Sequence, residues 1–240
     1  MDAARRVPDR WVMVSGFTQT HTAWRPVRVE GERLLRGAPR ASSFVEAAHL
    51  LEAPTQPDVR SGTTYVGYSQ GGRLCLQLAL DRPDAVQRLA LVSASPGIAD
   101  PEARAARVDA DEQLAQEIER DGIDAFLERW LAQPLFATLP RGRSGIEERR
   151  KANTVDWLTY QLRVLGQGAQ PSNWDRLTEL AMPVLLIAGE LDTKYVDIAQ
   201  RMAAAIPDAH VEVVAGAGHA CHLERPDVVA HLLASWPRSA

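Results

Sequence analysis

The chain has 240 residues, 45% hydrophobic and 24% charged, which is enough for one main domain with a sizeable buried core and room for an insertion. Its formal net charge of −4, with no long basic run, excludes the electrostatic footprint of a nucleic-acid binder or of a protein resting on an anionic membrane. A small molecule is the expected partner, and oligomeric state is not written in the composition.

In chain order, Met1–Trp11 is charged and has no apolar leader, and the most apolar later stretch, Val184–Ala188, is far too short to span a bilayer. A cytoplasmic protein is expected. Runs rich in β-branched and aliphatic residues at Trp11–Val14, Thr63–Gly67, Leu89–Ser93, Val184–Gly189 and Val211–Val214 read as buried strands. Helical segments Gly71–Leu80, Tyr195–Ile206 and Pro226–Ser235 fall between and after them, and such alternation predicts an α/β fold with a mostly parallel sheet flanked by helices. Between Trp24 and Phe44 only Leu34-Leu35 has strand character. From Ile98 to Leu177 the alternation stops. Apolar residues recur there at spacings of three and four, at Ile123, Phe126, Leu127, Trp130 and Leu131 and again at Val155, Leu158, Leu162 and Leu165, so amphipathic helices are expected. The resulting organisation is a core domain of 1–97 and 178–240 interrupted by a helical cap at 98–177.

Gly67-Tyr68-Ser69-Gln70-Gly71 fits G-x-S-x-G between a strand and a helix, where small flanking residues let the chain turn sharply and lift a serine hydroxyl above the sheet. A serine needs a base, and Asp192 and His219 follow in that order, each after its own strand. Glu190 is a rival acid, two residues nearer the strand. Two backbone N–H donors for a developing oxyanion are expected from Gln70, after the nucleophile, and from Phe17, in the first strand-to-helix loop. His21, His49, His210, His222 and His231 lack comparable context and are read as structural or surface residues. Cys75 and Cys221 lack metal-ligand spacing and are read as small buried residues.

The blocks Gly67-Tyr68-Ser69-Gln70-Gly71-Gly72-Arg73, Ser93–Gly97, Trp130–Phe136, Gly166–Pro171, Ala188–Tyr195 and Gly218–Glu224 together resemble the α/β-hydrolase-fold family of 2-succinyl-6-hydroxy-2,4-cyclohexadiene-1-carboxylate synthases. The Arg after Gly-Gly, the W-x-x-Q-P-x-F block and the Asp-x-Lys-aromatic block carry most of that specificity. The resemblance implies a lyase of menaquinone biosynthesis that eliminates pyruvate from an enolpyruvyl cyclohexene tricarboxylate, with no metal or organic cofactor. It further implies that Ser69, Asp192 and His219 are catalytic, and that Arg73, Tyr68, Trp130 and Phe136 contact an anionic substrate. Two departures stand out: Ser15 where the fold usually carries His, and a shortened strand and altered loop between Trp24 and Phe44. An identical triad serves esterases and carbon–carbon hydrolases, and a degenerate binding protein is the alternative of another class.

Overall fold

The computed structural model describes residues 9–54 and 62–236; of the stretch Met1–Trp11, residues 1–8 lie outside them. Six strands, β1 (Arg10–Val14), β2 (Glu32–Arg36), β3 (Thr63–Tyr68), β4 (Arg88–Val92), β5 (Val184–Gly189) and β6 (Ala209–Val214), form one sheet in the order β2-β1-β3-β4-β5-β6. Every pairing is parallel. The helices are α1 (Phe44–His49), α2 (Gln70–Asp81), α3 (Pro101–Leu131), α4 (Ile146–Ala152), α5 (Val155–Leu165), α6 (Thr193–Ala203), α7 (Cys221–Glu224) and α8 (Pro226–Ser235). None among the described residues is long and apolar enough to cross a membrane.

Beyond the polar residues at the starts of β1, β3 and β4, strands β1, β3, β4 and β5 are buried and almost wholly apolar because both sheet faces are covered, as a parallel sheet requires. Successive side chains point to opposite faces, and they sort accordingly into two cores. Val12, Val14, Leu89, Leu91, Val184 and Leu186 pack with α1, α2 and α6. Trp11, Met13, Ala90, Val92, Leu185 and Ile187 pack instead with α7, α8 and the turn His21–Trp24. Helix α2 is buried from Gln70 to Leu80, which explains why its sequence is apolar nearly all round.

The region between Trp24 and Phe44 differs from its reading. Instead of a remnant at Leu34-Leu35, a full five-residue strand pairs with β1 from Arg10↔Glu32 to Val14↔Arg36. An edge strand has one neighbour and partly exposed side chains, so its charged residues hid it.

From β4 to β5 the chain forms only helices and turns. Helix α3 is interrupted at Gly122, whose φ of 78° and ψ of 174° are open to glycine. Its second half and α5 enclose a separate small core of Phe126, Leu127, Leu158 and Leu162 with Ala115 and Ile118.

The topology also dictates where a ligand can sit. The chain leaves β1 toward β2 on one side of the sheet and leaves β3 toward β4 on the other, so the two connections diverge and open a crevice at the carboxyl ends of β1 and β3.

Candidate active site

Ser69 stands at that crevice, between the end of β3 and the start of α2, with φ 49° and ψ −112°. A non-glycine residue at positive φ carries roughly 1–3 kcal/mol of strain. The turn is held by a bond from the Ser69 N–H to the Val92 carbonyl (2.9 Å) and by close approach of its glycines. A Cβ on Gly67 would lie 2.4 Å from Gly72 Cα, and one on Gly71 would lie 2.3 Å from the Val14 oxygen. Larger residues would push α2 off the sheet and the hydroxyl out of place.

Asp192 follows β5 and His219 follows β6, and both are buried. The His219 Nδ1–H donates to Asp192 Oδ2 at 2.6 Å, and the Ser69 hydroxyl stands 3.3 Å from His219 Nε2. A carboxylate only accepts, so the proton resides on Nδ1 and Nε2 is left to accept from the serine. The rings of Tyr195 (4.7 Å), Tyr68 (5.4 Å) and Phe136 (6.1 Å) surround the imidazole and fix its plane. Glu190 is turned elsewhere: exposed, it accepts the Gly216 N–H at 2.8 Å and clamps the loop that carries His219.

A cavity of about 420 Å³ opens over Ser69. Phe17, Gln70, Tyr68, Arg73, Trp130 and Phe136 all line it, so the expected contact residues and both expected N–H donors converge there. Among the described residues, no protein acceptor takes the Phe17 or Gln70 N–H. Ser15, the departure noted in this loop, donates its hydroxyl to the Thr20 carbonyl at 2.8 Å and ties the loop to itself. Trp130 and Phe136 do double duty: Trp130 packs edge-on against Phe17 at 5.2 Å and against Phe136 at 5.8 Å.

Arg73 is buried and faces no ion-paired carboxylate among the described residues. It donates through Nη1 to the Gly166 carbonyl (3.2 Å) and Gln170 Oε1 (3.3 Å), and through Nη2 to the Leu165 carbonyl (3.0 Å). A guanidinium has five N–H groups, so Nε–H and one Nη2–H remain. Burial, with some repulsion from Arg107, pulls its pKa down to about 10.

Sequence reading missed Arg107, Lys194, Tyr195 and Gln161, which also line the cavity. Arg107 pairs with buried Asp111 at 2.8 Å and reaches Gln167. Its only signal was an Arg four residues before an Asp in a run that reads as a solvated helix face. The other histidines meet the structural-or-surface reading, but His222 is wholly buried between Tyr68 (4.1 Å) and Trp24 (4.8 Å), with no hydrogen-bond partner on either ring nitrogen among the described residues. Burial, then the Arg149 and His219 charges, hold its pKa well below the usual 6.5. Cys75 and Cys221 are buried, and burial pushes the Cys221 thiol up to about 12.

Residues 58–226 match the family model described as alpha/beta hydrolase fold. A Salmonella schwarzengrund (strain CVM19633) protein named 2-succinyl-6-hydroxy-2,4-cyclohexadiene-1-carboxylate synthase is 32% identical over 93% of this chain and 91% of its own length. A Bacillus subtilis (strain 168) protein, provisionally given the same name, is 37% identical over 71% of this chain, a match spanning 64% of that relative. A solved structure of MenH from S. aureus superposes with a TM-score of 0.84 at 26% identity, covering 94% of this chain and 91% of that one. Sheet order, serine turn and relatives agree: the chain belongs to the α/β-hydrolase-fold family and resembles, over nearly its whole length, members named 2-succinyl-6-hydroxy-2,4-cyclohexadiene-1-carboxylate synthase.

Proposed function

We propose that the protein is a lyase that eliminates pyruvate from 2-succinyl-5-enolpyruvyl-6-hydroxy-3-cyclohexene-1-carboxylate, giving 2-succinyl-6-hydroxy-2,4-cyclohexadiene-1-carboxylate in menaquinone biosynthesis. The observation that carries this reading is the cavity's polarity: the Ser69–His219–Asp192 chain of hydrogen bonds opens into a space that Arg73, Arg107 and Lys194 also line, against a single acid, Asp111, that Arg107 already holds. A substrate with three carboxylates matches that charge, and guanidinium groups suit carboxylates by their planar array of donors.

In this reading the core of 1–97 and 178–240 supplies the chemistry and the cap of 98–177 supplies much of the recognition. His219, oriented by Asp192, draws the proton from Ser69, whose oxygen takes the ring proton α to the succinyl ketone. The electron pair left on carbon delocalises onto the ketone oxygen, where the Phe17 and Gln70 N–H groups stabilise the enolate. As the ketone re-forms, the pair moves into a new double bond between C2 and C3, the pair of the existing C3–C4 double bond shifts to C4–C5, and the carbon–oxygen bond from C5 to the enolpyruvyl group breaks. The departing enolate of pyruvate takes up a proton, so atoms and charge balance without a cofactor. Arg73, with its two unspent N–H groups, is a carboxylate contact from the core side, and Arg107 one from the cap side.

The test is pyruvate release from the enolpyruvyl substrate, measured beside p-nitrophenyl ester hydrolysis. Pyruvate release with weak esterase turnover is expected. Vigorous ester hydrolysis without pyruvate would make the protein a hydrolase that uses Ser69 as a nucleophile, and inactivity of the folded protein in both assays would make it a binding protein.

A further inference from the structure

The loop that presents the Phe17 N–H is not held in place by the sheet alone. Thr18, wholly buried, has φ 66°, a conformation that a β-branched residue adopts only when its surroundings impose it. Two side chains from the far side of the cap impose it here. Arg149 on α4 donates through Nη1 to Thr18 Oγ1 and through Nε to the Ser144 carbonyl at 2.8 Å. Asn153, the residue after α4 ends, donates through Nδ2 to the Thr18 carbonyl at 2.9 Å and to the Arg149 carbonyl at 2.8 Å. Both are buried, and Arg149 has no ion-paired carboxylate among the described residues.

That arrangement is costly if packing is its only purpose. A guanidinium taken out of water without a counter-ion loses hydration that a methionine of similar length would not lose. Burial lowers the Arg149 pKa to about 10, which expresses the same cost. What the charge gains in return, besides the bond to the Ser144 carbonyl on its own side of the cap, is a grip on the hydroxyl of the residue next to Phe17. The sheet holds only the start of the loop, through the Ser15 N–H to the Arg36 carbonyl (3.0 Å), and the Phe17 ring rests on Trp130 (5.2 Å) and Phe126 (6.1 Å); within the loop Ser15 Oγ donates to the Thr20 carbonyl, the Gln19 N–H to the Gly16 carbonyl (3.1 Å), and the Gly16 N–H to Gln19 Oε1 (3.3 Å).

We infer that Arg149 and Asn153 are positioning residues for the oxyanion site: by clamping Thr18 in its left-handed conformation they aim the Phe17 N–H at the space beside Ser69, so the cap helps to set the chemistry and not only the pocket wall. This rests on the reading of Phe17 and Gln70 as oxyanion donors. Neither Arg149 nor Asn153 lines the cavity over Ser69, which separates their role from substrate contact.

The test reads Ser69 chemistry without the natural substrate. A p-nitrophenyl alkylphosphonate should phosphonylate Ser69: the serine oxygen forms the phosphorus–oxygen bond, its proton passes to His219, and p-nitrophenolate leaves, with the phosphoryl oxygen in the oxyanion site. Asn153→Ala and Thr18→Val, the latter removing the hydroxyl while keeping the branched shape, should slow labelling about ten- to a hundred-fold, since a misaimed donor loses much of the stabilisation of a well-placed one. Thr18→Ser, which keeps the hydroxyl, should stay within about threefold of wild type on the same grounds. In the pyruvate assay the slow variants should lose kcat with KM changed less than about threefold, the mark of an interaction made in the transition state. Labelling at the wild-type rate in Asn153→Ala and Thr18→Val, whatever their melting temperature, overturns the clamp and leaves the Ser69 reading standing. Absence of labelling in the wild-type protein overturns both.

Discussion

The two walls of the cavity are built on different principles. The sheet wall carries Ser69, Asp192 and His219, each at the carboxyl end of a buried parallel strand, with positions fixed by backbone geometry that tolerates almost nothing: glycines against carbonyls, a strained serine, an imidazole surrounded by rings. The helical wall carries Arg107, Trp130, Phe136 and Gln161 on helices and turns with a small core of their own, tied down by charged side chains that are half in water. Reaction class should therefore depend chiefly on the first wall, with α4's hold on Thr18 as the one contribution from the cap, and substrate choice chiefly on the second, with Arg73 as the core's contribution. Such a division lets one fold serve many substrates.

The sharpest way to break that division is at Ser69, Asp192 and His219. Because members of such a unit act together, Ser69→Ala, His219→Ala and Asp192→Asn should each lower pyruvate-releasing turnover by roughly three orders of magnitude or more. Melting temperatures should change little. A Ser69→Ala protein that turns over near the wild-type rate would remove the sheet wall from the chemistry.

Next in size are the cations on either side of the cavity. A charge-assisted contact to a carboxylate is worth about 1.5–3 kcal/mol, so Arg73→Ala and Arg107→Ala should each cut kcat/KM by roughly ten- to a hundred-fold. Arg73 is also a buried strut that joins α2 to the Gly166 loop, so its loss should lower the melting temperature as well. Arg107 is itself partly exposed but holds the buried Asp111 carboxylate, so Arg107→Ala should also lower the melting temperature, and its effect is read from the kcat/KM of the folded protein. Equal kcat/KM in wild type and Arg107→Ala would show that the helical wall does not read the substrate's charge.

These two walls also differ in how much of them was legible in the sequence. The sheet wall was nearly all there, because a buried parallel strand must be apolar and a serine on a tight turn must have glycines beside it; both constraints are local. The weak point was β2, whose two adjacent leucines between charged residues reflect an edge position that only the finished sheet defines. On the helical wall, periodicity located Phe126, Leu127, Leu158 and Leu162 but could not say which charged residue turns inward. Arg104 and Arg107 lie one helical turn apart, and what distinguishes them is Asp111 and Gln167 holding one of the two at the cavity. His222 was equally hidden, since nothing local to it announces Trp24 and Tyr68 on either side.

His222 gives the sheet wall a pH signature of its own. Its folded-state pKa lies well below 6.5, so above about pH 6.5 it is neutral whether the chain is folded or not and makes no difference. Below that, the unfolded chain takes up a proton that the folded one refuses, and stability should fall by up to about 1.4 kcal/mol per pH unit until the buried ring itself protonates. His222→Phe keeps a flat ring between Tyr68 and Trp24 and removes the linkage. The difference in unfolding free energy between variant and wild type should therefore grow in the variant's favour from pH 6.5 to 5, and a difference independent of pH would place His222 in contact with water.

The smallest effect expected belongs to the helical wall, and it separates conformational demand from mere presence of glycine. Gly122 and Gly142 both have open space where a Cβ would go, so neither substitution to alanine meets a clash. Gly122, however, has a positive φ with an extended ψ at the break in α3, where alanine is strained by about 1–3 kcal/mol, whereas Gly142 lies in the helical turn Arg141–Arg143 without a positive φ. At Gly142 the alanine chiefly narrows the conformations open to the unfolded chain, which stabilises by about 0.4–1 kcal/mol. Gly142→Ala should accordingly raise the midpoint of chemical denaturation slightly with an unchanged slope, and Gly122→Ala should lower it. Pyruvate release should be unaffected in Gly142→Ala, because Gly142 does not line the cavity over Ser69 and an alanine that keeps its turn leaves the Ser144 carbonyl where Arg149 holds it. If Gly142→Ala slowed turnover, the helical wall would need freedom of movement to work, and a static division between a wall for chemistry and a wall for recognition would no longer describe the molecule.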